Sequence, residues 1–154
     1  WKSDGTEAGT VMVKEYIYVG EAGFYPTQHL TAMDGLLYFS TDDGTNGKEL
    51  WKSDGTEAGT VMVKDINAGS EDSNIDYLTV MNGLLYFKAD DGTHGWELWK
   101  SDGTKAGTVM VKDIRTGSFG SHPNNLTVVN GLLYFSAYDG KGEERRDRGG
   151  NCHG

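Results

Sequence analysis

The stretch "LTVMNGLLYFKADDGTHGWELWKSDGTKAGTVMVKD", Leu78 to Asp113, decides the fold, and its turns can be read from their chemistry. Asn82-Gly83 lies between two apolar runs, the strongest short-range signal for a two-residue hairpin with both central residues at positive φ. "DDGTHG" and "SDGTKAGT" mark two further turns, in which Asp can bond its own backbone and Gly can turn left-handed. Four short strands follow: about Leu78 to Met81, Leu84 to Ala89, Glu97 to Ser101 and Thr108 to Asp113. "GLLYF" and "TVMV" are apolar at consecutive positions, and strand side chains alternate between faces, so both faces of this sheet must be covered.

The unit recurs. "LTAMDGLLYFSTDDGTNGKELW" opens at Leu30 and "LTVVNGLLYFSAYDGKG" at Leu126, each 48 residues from its neighbour at Leu78, with Asp34-Gly35 and Asn130-Gly131 in the hairpin positions. "WKSDGTEAGTVMVK" stands at Trp1 to Lys14 and unchanged at Trp51 to Lys64, and returns with Lys105 for Glu at Trp99 to Lys112. A period this size points to a repeat architecture, and a four-stranded antiparallel unit covered on both sides by like units is a propeller blade. The expected fold is all-β: three tandem four-stranded repeats, with β-propeller blades as the first reading and a β-trefoil as the alternative. The division is a half-blade 1–29, a blade 30–77, a blade 78–125, a half-blade 126–142 and a loosely ordered tail 143–154.

Trp1 to Lys14 supplies the third and fourth strands of a unit, and Leu126 to Ala137 supplies the first and second. The two halves are complementary, yet three blades are too few for a ring. The expectation is self-association by half-blade exchange: a homodimer with six blades or, if the rotation does not close, a filament. A piece of a longer array is the other possibility.

Acidic residues outnumber basic ones, 23 to 14, and four of the basic ones fall in the last fourteen residues. An acidic body argues against nucleic acid and anionic membranes as partners. No apolar run approaches the roughly 18 residues of a membrane span. Cys152 is the single cysteine, either free or paired with another chain.

"ELWKSDGT" at Glu49 to Thr56 and again at Glu97 to Thr104, each followed by "AGTVMVKDI", resembles the bacterial ELWxxDGT repeat. The likeness covers about Trp1 to Gly142 and departs where "EERRDRGGNCHG" replaces the next "ELWKSDGT". It implies propeller-like repeats and a secreted or extracellular setting, and no activity.

No constellation for catalysis is visible, so the chain does not read as an enzyme. His29, His94, His122 and His153 occupy no metal-ligand spacing. Ser53 and Ser101 have no histidine at a repeat-fixed distance and read as turn residues. Asp43, Asp91 and Asp139, with Glu49 and Glu97 beyond the turn, could hold Ca²⁺ through oxygen ligands, but the EF-hand spacing is lacking and turn geometry explains them better. Trp1, Trp51 and Trp99 recur on the third strand, as expected for packing between blades. Trp96 differs, because Lys48 takes its place in the preceding unit, so the fold does not demand it. An aromatic at a variable position near carboxylates and amides suits a saccharide: the ring covers C–H patches while oxygens accept from hydroxyls. Trp96 and His94, the acids above, and Asn74, Asp76, Asn124 and Asn125 of the connecting loops form the candidate ligand site of a lectin. A structural or adhesive repeat protein without a small ligand is the alternative.

Overall fold

The computed structural model describes residues 1–14 and 28–141. Within them lie ten strands and no helix. β1 (Gln28–Met33), β2 (Leu36–Asp42), β3 (Lys48–Ser53) and β4 (Val61–Lys64) form one antiparallel sheet in sequence order. β5 (Asp76–Met81), β6 (Leu84–Asp90), β7 (Trp96–Ser101) and β8 (Val109–Lys112) form a second, and β9 (Asn124–Val129) pairs with β10 (Leu132–Ser136) in a third. No sheet among the described residues closes into a barrel. Trp1 to Lys14 carries a single antiparallel bridge, Lys2 to Val11.

The hairpins form where the Asx-Gly pairs require them. Asp34, Asn82 and Asn130 take φ of 52°, 53° and 51°, each followed by a glycine at positive φ. The inner strands are covered on both faces, with Phe39, Ser40 and Thr41 buried in succession on β2 and Glu97, Leu98 and Trp99 on β7, but the outer "TVMV" strands are not: Val61 on β4 and Val109 and Val111 on β8 are exposed, contrary to the expectation from their consecutive apolar positions. Leu50, Leu85 and Phe87 are wholly inaccessible and pack with Tyr38, Val63 and Trp99 in one core shared by the two sheets. Burying side chains of this size stabilises by about 1.5–3 kcal/mol each.

Successive units are joined by the same contacts, twice over. Lys52 Nζ donates to the carbonyl of Gly103 at 2.8 Å, as Lys2 Nζ does to Gly55 at 2.9 Å. Lys64 Nζ donates to Thr108 at 2.8 Å and Lys14 Nζ to Thr60 at 2.9 Å. The same two lysines sit over Trp99 and Trp51, at 5.4 and 5.6 Å from the ring centroids. Trp51 and Trp99 are buried at 7 % and 5 % exposure, but Trp1 is 81 % exposed. The burial expected of all three is therefore found for two. Nothing among the described residues brings to Trp1 the lysine that its counterparts receive.

The turn "SDGTKAGT" closes on a carboxylate. Asp102 Oδ1 accepts from the Thr104 amide and hydroxyl, the Thr104 hydroxyl accepts from Gly107, and Thr108 returns its hydroxyl to the Thr104 carbonyl. Gly107 leaves room for the Asp102 carboxylate, which a Cβ there would displace. The tail 143–154 with Cys152, the end of the last half-blade at Gly142 and the segment 15–27 lie outside the described residues.

Candidate functional site

Where the two complete sheets meet, a cleft of about 360 Å³ opens beside the starts of β1, β5 and β7. Its volume lies within the range of small-ligand sites. Trp96, Asn74 and Asp76, three of the residues singled out in the sequence, line it together. Lys48, Lys88, His29 and His122 line it as well.

Backbone geometry holds these side chains in place. The first strand of each sheet carries an irregularity near its start, with His29 at φ 59° and Tyr77 at φ 58°, and the register slips between Gln28 and Thr31 and between Asp76 and Thr79. Such bulges re-aim side chains at strand ends. Asn74 and His122 occupy equivalent places just before β5 and β9, both at φ 50°. The loop before β9 lies against the start of β7: the His122 amide donates to the Trp96 carbonyl at 3.0 Å, and a Cβ on Gly120 would overlap Trp96 backbone. This places the His122 ring 4.8 Å from that of Trp96, tilted by 35°. Trp96 remains half-buried.

Asp76 is the polar hub. Its Oδ1 accepts from the Tyr77 amide at 2.8 Å and lies 3.4 Å from His29 Nδ1 of the first sheet. Its Oδ2 is 3.4 Å from Lys88 Nζ, which also sits 5.1 Å from the Tyr77 ring centroid. Lys48 reaches Asp72 at 3.8 Å. An adjoining recess shares Asn74 and Trp96 and adds Asn67, Asp72 and Asp90.

The remaining sequence candidates go elsewhere. Glu49 and Glu97 are fully buried and occupied by the backbone, which removes them from any surface site. Glu49 accepts from the amides of Ile66 at 2.8 Å and Asn67 at 3.3 Å, and burial pushes its carboxyl up to about 8. Glu97 accepts from Ile114, Arg115 and Ser121 amides and from the Ser121 hydroxyl, tying the loop after β8 to the approach to β9. A buried carboxylate survives only with such partners.

Asp43, Asp91 and His94 belong to the turns between second and third strands and do not line the cleft. Asp91 Oδ1 accepts from the amides of Thr93 and His94, and its Oδ2 lies 2.7 Å from His94 Nδ1. Asp43 closes the equivalent turn through Thr45 and Asn46. Burial alone would raise the Asp91 carboxyl, but the hydrogen bonds from His94 and Thr93 outweigh it and leave it below the usual range, while the bond to Asp91 raises His94. Asp139 lines a separate recess with Arg115 and Lys141. Asn124 and Asn125 are exposed at the start of β9, outside the cleft. No cluster of three or more His, Cys, Asp or Glu suited to a metal ion occurs among the described residues. No described helix is long and apolar enough to cross a membrane.

One regularity unites the lining. Units 28–74 and 76–122 are identical over most of their length, yet the lining falls where copies differ: His29 against Tyr77, Ser40 against Lys88, Lys48 against Trp96, Asn74 against His122 and Asp76 against Gln28. Reading Trp96 against Lys48 finds one of these positions, and applying the comparison along the whole unit would have found the others. Comparison of the chain with protein-family models, with curated proteins and with solved structures finds no match.

Proposed function

We propose that the protein is a carbohydrate-binding protein whose saccharide site is the Trp96 cleft, on a propeller-like frame of ELWxxDGT-type repeats in a secreted or extracellular setting. The observation that carries this reading is that a half-buried tryptophan stands beside Asn74 and Asp76 in a cleft lined by non-repeated residues, within an otherwise repeated frame. A residue needed only for folding would recur in each unit, as Trp51 and Trp99 do. The indole offers an apolar face to sugar C–H groups, and the amide and carboxylate accept from hydroxyls. The interactions among Asp76, His29 and Lys88 hold the polar groups in place before any ligand arrives.

The test is a glycan array followed by titration of tryptophan fluorescence with the best-retained sugar, for the intact protein and for Trp96→Ala. Saturable binding that disappears in Trp96→Ala supports the reading. Absence of any response at high protein concentration defeats it.

A second reading, a structural or adhesive repeat that self-associates by half-blade exchange into a homodimer or filament, is favoured by one specific observation. β10 pairs with β9 alone among the described residues, whereas β2 and β6 are paired on both edges. The two readings are compatible, since an assembly that repeats a weak site gains avidity.

A further inference from the structure

We propose that the Trp96 cleft takes an acidic sugar, whose carboxylate or sulfate is held by Lys88 and Lys48 while the sugar ring lies against the indole. The inference rests on the saccharide reading and names the class of sugar that this site takes.

The cleft is cationic in an acidic chain. A net charge of −9 repels anions in general. Yet two lysines and two histidines line this cleft, and among the described residues Asp76 is the one carboxylate that lines it with them. The two ammonium groups arrive from different sheets, Lys48 at the start of β3 and Lys88 on β6. Like charges brought to one cleft repel each other, and an anion between them removes that repulsion.

Neither lysine belongs to the repeated frame. Lys52 and Lys64 tie one sheet to the next, and both recur in the following unit, as Lys100 and Lys112. Lys88 stands where the first unit has Ser40, and Lys48 where the second has Trp96. A lysine that only held the sheets together would recur with them.

The pairing of Lys88 inside the protein is loose. Its side chain is 20 % exposed, and its Nζ lies 3.4 Å from Asp76 Oδ2, beyond the roughly 2.7–2.9 Å of a close bond between ammonium and carboxylate. Asp76 is also shared, since its other oxygen accepts from the Tyr77 amide and lies 3.4 Å from His29. Lys48 is 26 % exposed, with Asp72 at 3.8 Å. A largely desolvated ammonium with three donors gains most from close acceptors, and a ligand anion in the cleft completes what Asp76 supplies in part. Carboxylate and sulfate both offer such oxygens. Trp96 and Asn74 beside them take the neutral part of the sugar, its C–H face and its hydroxyls.

The experiment titrates tryptophan fluorescence of the intact protein with matched probes: trigalacturonic acid against its neutral methyl ester, and lactose O-sulfate against lactose. At least one acidic probe should bind about 10-fold more tightly than its neutral counterpart, the value of one charge-assisted hydrogen bond. Lys88→Ser should lower that affinity by about the same 10-fold and leave the neutral probe unaffected, whereas Lys88→Arg should keep the preference for charge. A preference confined to trigalacturonic acid supports the inference and assigns the group as a carboxylate; one confined to lactose O-sulfate supports it and assigns a sulfate ester. A neutral probe bound as tightly as its acidic counterpart overturns the inference and leaves the saccharide reading standing. An acidic preference undiminished in a chain carrying both Lys48→Gln and Lys88→Ser places the anion elsewhere and overturns it too. Silence toward every probe also overturns it, while the glycan array judges the saccharide reading separately.

Discussion

Lys64 lies over the indole of Trp99, its Nζ 5.4 Å from the ring centroid, and gives a hydrogen bond to the Thr108 carbonyl just before β8. One side chain thus links the last strand of the first sheet to β7 and to the turn that leads into β8 of the second. Lys64→Met keeps the aliphatic stem and removes both polar interactions. It should cost about 1–2 kcal/mol, read as a lower urea midpoint with an unchanged slope. A double-mutant cycle with Trp99→Phe isolates the ring contribution.

Gly107→Ala should destabilise although the residue is only half-buried and packs in no core. The new methyl displaces the Asp102 carboxylate from Thr104, and the turn loses the acceptor that closes it. Asp102→Ala should cost a similar amount, because both changes remove the same hydrogen bonds. The double variant should cost much less than the sum, and urea denaturation of the three proteins decides it.

Glu49 makes stability fall as pH rises. Its carboxyl is raised by burial to about 8 in the folded chain, against an ordinary value near 4.5, so the folded state holds a proton that the unfolded state releases. The contribution is complete below pH 4.5 and is lost as pH rises through 8. Glu49→Gln should flatten this limb: its melting temperature should change less between pH 5 and pH 8 than that of the parent, by at least about 4 °C. Thermal melts at those two pH values are the measurement. A parent protein equally stable at both would show that the Ile66 and Asn67 amides stabilise the ionised form.

Trp96→Ala and Trp51→Ala separate site from frame. Trp51 is almost wholly buried, and its truncation should cost roughly 3–5 kcal/mol. Trp96 is half-buried at a position where the preceding unit has lysine, so its loss should lower the melting temperature little while abolishing sugar binding. Calorimetry and the fluorescence titration read the two effects independently.

The strands and hairpins were legible because their signals are local. Asn82-Gly83 selects its turn with no help from the rest of the chain, and the structure places every strand end of that unit within two residues of the sequence reading. The candidate site was legible only in part, and the reason is physical. Asp91 and His94 are as polar as Asp76 and His29, but they spend their bonding capacity within one turn, and composition does not distinguish a satisfied acid from one facing a cleft. Glu97 looked like a surface acid because it follows a polar turn. Its partners lie 17 to 24 residues away in the chain, beyond the reach of any local pattern. Lys48 and Lys88 enter the cleft from two different sheets, a juxtaposition that only the stacking of the sheets creates.

The identity of Trp1–Lys14 and Trp51–Lys64 bears on how the chain reaches its structure. During folding, the Leu37–Phe39 half of β2 can meet the same Trp-Lys-Ser triplet at Trp1–Ser3, Trp51–Ser53 or Trp99–Ser101, and these three side chains cannot choose among the copies. Chain connectivity and the flanking Lys48–Leu50, which pair with Ser40–Asp42, make the choice. The correct partner follows β2 after a short turn, while the wrong ones are joined through loops several times longer, and each doubling of loop length costs about 0.6 kcal/mol. That bias of about 1–2 kcal/mol acts only within a molecule. At high concentration the Trp-Lys-Ser triplets of neighbouring chains compete for the same half of β2, so the yield of correctly folded protein falls with concentration through mispairing of otherwise sound strands.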